Sequence, residues 1–285
     1  MTSTLHPSSP RPMACRDRFV AVGGEPLIVG VLNVTPDSFF DGGKFTAPDR
    51  ALRHAEQMVA EGAALLDVGG QSTRPGHEEI SATDEIARVV PVIAALAGRV
   101  DVPISVDTYK PEVARAALAS GAHVLNDVYG LQRDPELADI AAEWACPVIV
   151  MHQEPAFRET PGDTVGKLKA FFDRSLEIAA RAGVARDRVI LDPGIGFAKT
   201  AAQNLEILSR LTELRAFGCP LLVGASRKSV ISHVLALPPG ERLEGTLAIT
   251  ALAAWQRVDF IRVHDVRANV RAAKIAHAIR QASPS

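Results

Sequence analysis

A regular alternation of two segment types constrains this chain more than any other feature. Short aliphatic runs of strand length fall at 28–33, 65–69, 104–107, 123–126, 148–151, 189–192, 221–224 and 260–264. Between them lie Ala-rich segments of helical length at 48–61, 84–97, 111–120, 135–144, 165–182, 204–217 and 229–237, with a further helix over 243–256 and a last one over 266–281. Strand–helix alternation implies right-handed crossovers and a parallel sheet. About eight such units without a break in composition predict an α/β fold, a single (β/α)8 (TIM) barrel. The barrel is expected over 19–282, with an N-terminal β-hairpin around Gly23-Gly24-Glu25-Pro26 and an extra helix after strand 7. An open doubly wound sheet is the competing architecture, but no Gly-x-Gly-x-x-Gly follows the first strand.

Composition narrows the function. Net charge is −2 and no basic tract occurs, which gives no electrostatic support to a nucleic-acid partner. The longest apolar stretch, 247–255, is too short to span a bilayer, so no membrane partner is expected. Residues 1–18 are rich in Ser, Pro and Arg and lack an apolar core. They read as a disordered tail rather than a signal peptide. Cys15, Cys146 and Cys219 lie far apart without metal-ligand spacing, so buried reduced thiols and a cytoplasmic protein are the expectation.

Long loops at 35–47, 71–83 and 153–164 follow the first, second and fifth strands, and a barrel would gather all three at one mouth. The residues that close the strands are mostly polar: Asn33, Asp107, Asn126, His152, Asp192, Ser226 and His264. Singly, each has an ordinary reading as a turn or cap residue. Together they predict one pocket. Leu221-Leu222-Val223-Gly224-Ala225-Ser226-Arg227-Lys228-Ser229 reads as a buried strand turning at once into a helix. That turn leaves two readings open, an anion site at a helix N-terminus and a plain turn with an exposed basic pair. Two carboxylates, two amides and a lysine suit a flat heterocycle with a donor-rich edge. At the rim Arg74, Arg262 and His264 would form a diphosphate clamp, with Asn33 an oxygen donor that Mg²⁺ would accept. The first strand lacks the His-x-His that an amidohydrolase-type metal barrel needs, and Ser226 and Ser229 lack His–Asp partners for nucleophilic catalysis.

With these residues in view, the chain resembles the dihydropteroate synthases of the pterin-binding barrel family from about residue 27 to 279. The resemblance rests on Gly30-Val31-Leu32-Asn33-Val34-Thr35-Pro36-Asp37-Ser38-Phe39, Ser72-Thr73-Arg74-Pro75-Gly76, Ser105-Val106-Asp107-Thr108 and Asn126-Asp127-Val128. Leu191-Asp192-Pro193-Gly194, Ser226-Arg227-Lys228-Ser229 and Arg262-Val263-His264-Asp265 follow in order. It implies a transferase of folate biosynthesis that joins 6-hydroxymethyl-7,8-dihydropterin diphosphate to 4-aminobenzoate. On that resemblance Asp107, Asn126, Met151, Asp192 and Lys228 hold the pterin. Asn33, Arg74, Arg262 and His264 hold diphosphate, with Mg²⁺ on Asn33. Phe39, Thr73, Pro75, Phe197, Arg227 and Ser229 frame the aminobenzoate, and Asp107, Lys228, Asp41 and Arg74 are the expected catalytic residues.

Phe40, Gln71, Tyr129, Gln153 and Ala198 depart from the pattern of that family. Phe40 and Ala198 adjoin aminobenzoate-side positions, and reduced sensitivity to sulfonamides is one expectation drawn from them. The apolar last helices suggest a homodimer. A methyltetrahydrofolate-dependent methyltransferase and a non-catalytic pterin-binding homologue are the alternatives. Neither has a reason to keep the whole diphosphate clamp together with the Ser-Arg-Lys-Ser turn.

Overall fold

The structure, a computed structural model, describes residues 10–35, 47–71 and 79–283. Ten strands and nine α-helices are described: β1 (Arg11–Cys15), β2 (Arg18–Val22), β3 (Leu27–Asn33), α1 (Ala47–Ala60), β4 (Leu65–Gly69), α2 (Ala82–Ala97), β5 (Ile104–Asp107), α3 (Pro111–Ala119), β6 (Val124–Asp127), α4 (Glu136–Glu143), β7 (Val148–Met151), α5 (Thr164–Arg181), β8 (Val189–Asp192), α6 (Ala201–Ser209), β9 (Leu222–Val223), α7 (Ser229–Leu235), α8 (Leu243–Trp255), β10 (Phe260–Val263) and α9 (Val266–Ala282).

Strands β3 to β10 form one parallel sheet in the order β8-β7-β6-β5-β4-β3-β10-β9. A parallel bridge between Leu191 and Leu221 joins its two end strands and closes the ring. This is the expected (β/α)8 barrel, with α8 as the extra helix. Its strands are apolar on both faces because helices cover the outside while side chains fill the inside. β4 is buried at all positions, including the charged Asp67. The β9 ladder is only two residues long, shorter than the expected 221–224, because Gly224 already begins the turn toward α7.

The hairpin exists, but its location corrects the sequence expectation. β1 pairs antiparallel with β2, Cys15 opposite Arg18, around a two-residue loop in which Arg16 has φ 61°. Gly23 to Pro26 form the link from β2 into β3, and Leu27 donates its N–H to Asp259 O at 2.8 Å. The reason is burial: an almost wholly apolar β3 is stable only between two parallel neighbours, here β4 and β10. A two-residue loop with φ > 0 usually announces itself by Asn or Gly, and Arg16-Asp17 carries neither. The first hairpin strand also falls inside the segment expected to be a tail.

The hairpin lies across the N-terminal ends of the barrel strands. Met13, Cys15, Val20 and Val22 pack with Val29, Leu65, Val124, Ile149, Ile190, Leu222 and Phe260 in one buried cluster. Arg16 donates to Leu118 O (2.8 Å) and Ala122 O, and Arg18 to Ala97 O (2.7 Å) and Val102 O. Two guanidinium groups thus take up carbonyls left free where α2 and α3 end, a favourable place for positive charge.

Candidate active site

The polar side chains converge at the opposite, C-terminal end of the strands. Register explains the meeting. Asn33 lies beside Gly69, Gly69 beside Asp107 and Asp107 beside Asn126, so one level of the ring carries three of the expected residues. Gly69 leaves room between two of them: a Cβ there would come within 3.6 Å of both Asn33 Oδ1 and Asp107 Cβ. One layer deeper sits Asp67, fully buried, which reasoning from strand ends overlooked. Its Oδ1 accepts from Ser105 Oγ at 2.5 Å, and its Oδ2 accepts from Asn126 Nδ2 at 3.0 Å and Arg262 Nε at 2.6 Å. The available signal was a carboxylate in the middle of the apolar run Leu65-Leu66-Asp67-Val68, where an unpaired charge would not be tolerated.

Arg262 was expected at the rim. Its guanidinium instead spans two carboxylates, Nε on Asp67 and Nη2 on Asp107 Oδ2 at 2.9 Å. Asp107 keeps its other oxygen, Oδ1, buried and without a hydrogen-bond partner among the described residues. Burial, then the charge of Asp67, pushes the Asp107 carboxyl up to about 7, against the opposing pull of Arg262. Across the ring, Asp192 Oδ1 accepts from Gly194 N at 2.8 Å, and burial raises its carboxyl against the charge of Lys228. Lys228 donates Nζ to Ile195 O at 2.6 Å and lies 4.4 Å from the centre of the Phe197 ring, with burial lowering its ammonium to about 8. Met151, Tyr109 and Val128 form an apolar cluster against which Tyr129 and Phe197 pack.

Two other expected residues are bound to partners at the rim. Arg227, at φ 57°, forks onto Asp265 through Nε at 2.9 Å and Nη2 at 2.5 Å. The ring nitrogen Nδ1 of His264 lies 3.0 Å from Ser226 Oγ, and Ser229 is exposed at the start of α7. Phe39, Asp41, Thr73, Arg74 and Pro75 lie outside the described residues, as does Phe40. His152 does not join the pocket. Met151 takes the inward direction, so the next side chain turns outward, where the imidazole meets Phe157 and Phe171 at 4.5 and 4.6 Å between ring centres. There it pairs with Lys199, another residue the sequence reading overlooked.

No group of His, Cys, Asp and Glu able to hold a metal occurs among the described residues. The fit for Mg²⁺ is of another kind. Asn33 offers a neutral, hard oxygen next to Asp107, and a cation that keeps several waters needs few protein ligands beside substrate phosphate.

Ala198 has φ 46°, between Phe197 and Lys199. A Cβ is strained in the left-handed region, so Ala198→Gly is expected to stabilise the protein by about 0.5–1 kcal/mol in urea unfolding.

A closed (β/α)8 barrel with paired carboxylates, an amide and a lysine at the carboxyl ends of its strands is an enzyme scaffold of the kind that acts on small polar ring compounds. Residues 29–264 match the model of the family described as pterin binding enzyme. The chain is 45% identical to a dihydropteroate synthase of Clostridium beijerinckii over 261 residues, 90% of this chain and 96% of that one. It superposes with a TM-score of 0.91 on Xanthomonas albilineans dihydropteroate synthase solved with 4-aminobenzoic acid, at 40% identity, covering 97% of this chain and 100% of the other. The same enzyme in complex with 7,8-dihydropteroate gives a TM-score of 0.88 at 38% identity, covering 96% and 100%. The chain belongs to the pterin-binding enzymes and, within them, to the dihydropteroate synthases.

Proposed function

We propose that this transferase condenses 6-hydroxymethyl-7,8-dihydropterin diphosphate with 4-aminobenzoate, giving 7,8-dihydropteroate and diphosphate. The observation that carries the reading is the Asp107 oxygen left without a partner among the described residues, buried in a ring of strand ends that also brings in Asn126, Asp192 and Lys228. A carboxylate held in this way is an acceptor for the ring N–H and amino edge of a pterin, and Lys228 and Asn126 are suited to its carbonyl and ring nitrogens. Met151 supplies an apolar face.

In the reaction the methylene C–O bond breaks and diphosphate leaves with the electron pair. The pterin ring shares the positive charge that develops, and the Asp107 carboxylate favours it. The neutral amine of 4-aminobenzoate then forms the new C–N bond, and its N–H proton passes to water or to diphosphate. No strong base is needed. Arg262 and His264 are the groups proposed to meet the diphosphate. Asn33 would hold Mg²⁺ there, which when bound supplies further positive charge for the leaving group. Arg74 and Asp41, with Phe39, Thr73 and Pro75, are proposed to complete the mouth, and Phe197, Arg227 and Ser229 to frame the aminobenzoate.

A homodimer is part of the proposal, supported by Val234, Leu235, Leu252, Trp255, Ile275 and Ile279, all exposed on α7, α8 and α9. Reduced sulfonamide sensitivity is proposed on the strength of Ala198 beside Phe197. Among the described residues no helix is long and apolar enough to cross a membrane, and a cytoplasmic location is proposed on the three buried free thiols.

The test is diphosphate release with both substrates and with each omitted in turn. Release that depends on 4-aminobenzoate is expected, with stoichiometric dihydropteroate. Release indifferent to the amine overturns the reading.

A further inference from the structure

Lys199 is only 3% exposed, yet among the described residues no carboxylate is bonded to it. Its Nζ lies 2.7 Å from His152 Nδ1 and donates to Gly194 O (2.9 Å), Phe197 O (3.0 Å) and His152 O (3.2 Å). With three carbonyls as its acceptors the lysine is the donor here, which assigns Nδ1 of His152 as an acceptor and leaves the ring proton on Nε2, buried and without a hydrogen-bond partner among the described residues. Burial lowers the lysine to about 7 and, together with the charge of Lys199, lowers the imidazole to about 2, so the histidine is neutral. Burying a cation among neutral acceptors is unfavourable, and a methionine would fill the same space without that penalty. The placement therefore calls for a reason beyond packing.

The reason lies in the segment that the ammonium grips. Between Asp192 and α6 the backbone enters the left-handed region at Gly194 (φ 65°), Gly196 (φ 87°) and Ala198 (φ 46°). Gly194 lies so close to His152 that a Cβ would fall 2.1 Å from its carbonyl oxygen. The loop's own ties are a turn bond from Phe197 N to Gly194 O at 3.1 Å and Gly196 N to Asn204 Oδ1 at 2.8 Å, and Lys199 gathers two of its carbonyls to one point. The far end is fixed by a reciprocal cap on α6, Gln203 N to Thr200 Oγ1 at 3.1 Å and Thr200 N to Gln203 Oε1 at 2.8 Å. On its other side the same loop presents Ile195 O to Lys228 Nζ and the Phe197 ring beneath that ammonium. Two lysines thus hold one short loop from opposite sides, one from behind the barrel wall and one from the mouth.

We propose that Lys199 is a positioning residue, which sets the Gly194–Lys199 loop so that Phe197 and the Ile195 carbonyl stand in register with Lys228. Its effect on turnover rests on the synthase reading above; its effect on the loop does not. The ammonium holds the carbonyls of Gly194 and Phe197, and the loop between them holds the aminobenzoate side of the pocket.

The experiment is a double-mutant cycle of Lys199→Met and Phe197→Ala in the full chain, with kcat and KM for each substrate. Lys199→Met is expected to raise KM for 4-aminobenzoate about 10- to 100-fold, as a displaced contact residue would. In the Phe197→Ala background it is expected to add little, because the lysine acts through that ring. Fully additive effects, or a near-native KM in Lys199→Met, overturn the proposal. Hydrogen exchange across 194–199, read by mass spectrometry without substrates, is expected to accelerate in Lys199→Met relative to the rest of the barrel. Unchanged exchange there also overturns it. An unmodified protein with no amine-dependent turnover defeats the synthase reading alone, and the exchange comparison then decides the role of Lys199. Should Lys199→Met fail to fold, Lys199→Gln keeps donors for the two carbonyls, and KM for 4-aminobenzoate and exchange across 194–199 are then expected to stay native together or to rise together. A change in either one alone in that folded variant overturns the proposal.

Discussion

Asp107→Asn is expected to lower kcat/KM for the pterin substrate by about 10²–10³, the range for removing one preorganised charge-stabilising group, while the fold survives. The amide can no longer accept from two donors on one edge, nor offset a cation on the ring. The fold is spared because Arg262 keeps its shorter bond to Asp67, Nε to Oδ2 at 2.6 Å. The unmodified protein should also show a pH limb that the variant lacks. The Asp107 carboxyl is raised from 3.8 to about 7, first by burial and then by Asp67. The folded chain therefore holds a proton over that interval that the unfolded chain releases. The resulting stability is fully present below pH 3.8 and is lost as the pH rises through about 7. Activity runs the other way, since the ionised form is the acceptor: kcat/KM rises with pH up to the same point. Stopped-time assays and urea titrations across this range check both directions, and a flat wild-type profile would sink the assignment.

The second large effect is on stability. Asp67→Ala is expected to cost about 3–5 kcal/mol, as when one partner of a buried ion pair is removed. The fully buried carboxylate anchors Ser105, Asn126 and Arg262 at once, and of the three only Arg262 is partly exposed. Pterin affinity should fall with it, because Asn126 and Arg262 lose the acceptor that orients them. A urea midpoint within about 0.5 kcal/mol of the parent, the scale of an ordinary surface change, would show that Asp67 is dispensable.

The barrel was legible because the strands are short apolar runs, most of them closed or followed at once by a polar residue, and they alternate with Ala-rich helical segments. That pattern fixed eight strands nearly to the residue, Ile104–Asp107 and Val189–Asp192 among them. Local patterning could not tell that β3 pairs with β10, far along the chain, so Gly23-Gly24 was misread as a hairpin turn. The site divided in the same way. Asn33, Asp107, Asn126 and Asp192 stood out as strand terminators. Asp67 and Lys199 did not, since one lies inside a strand and the other is defined by carbonyls, which leave no mark in a sequence. The direction of His152 also escaped, because the alternation that sends it outward depends on where β7 stops. Arg262 was expected at the rim, whereas its carboxylate partners, from two other strands, draw it inward.

The hairpin beneath the strands has a consequence for traffic. Its apolar residues pack under the strands and stop the floor, which among the described residues leaves the mouth at the strand C-termini as the way in and out. Everything that enters must leave by the same route, and whatever binds deepest departs last. A pterin seated on Asp107 and Asp192 would have to load before the aminobenzoate covers it, and diphosphate, nearer the opening, would be free to go before the joined product. The order of events would then follow from the shape of the container, with no switch required to impose it.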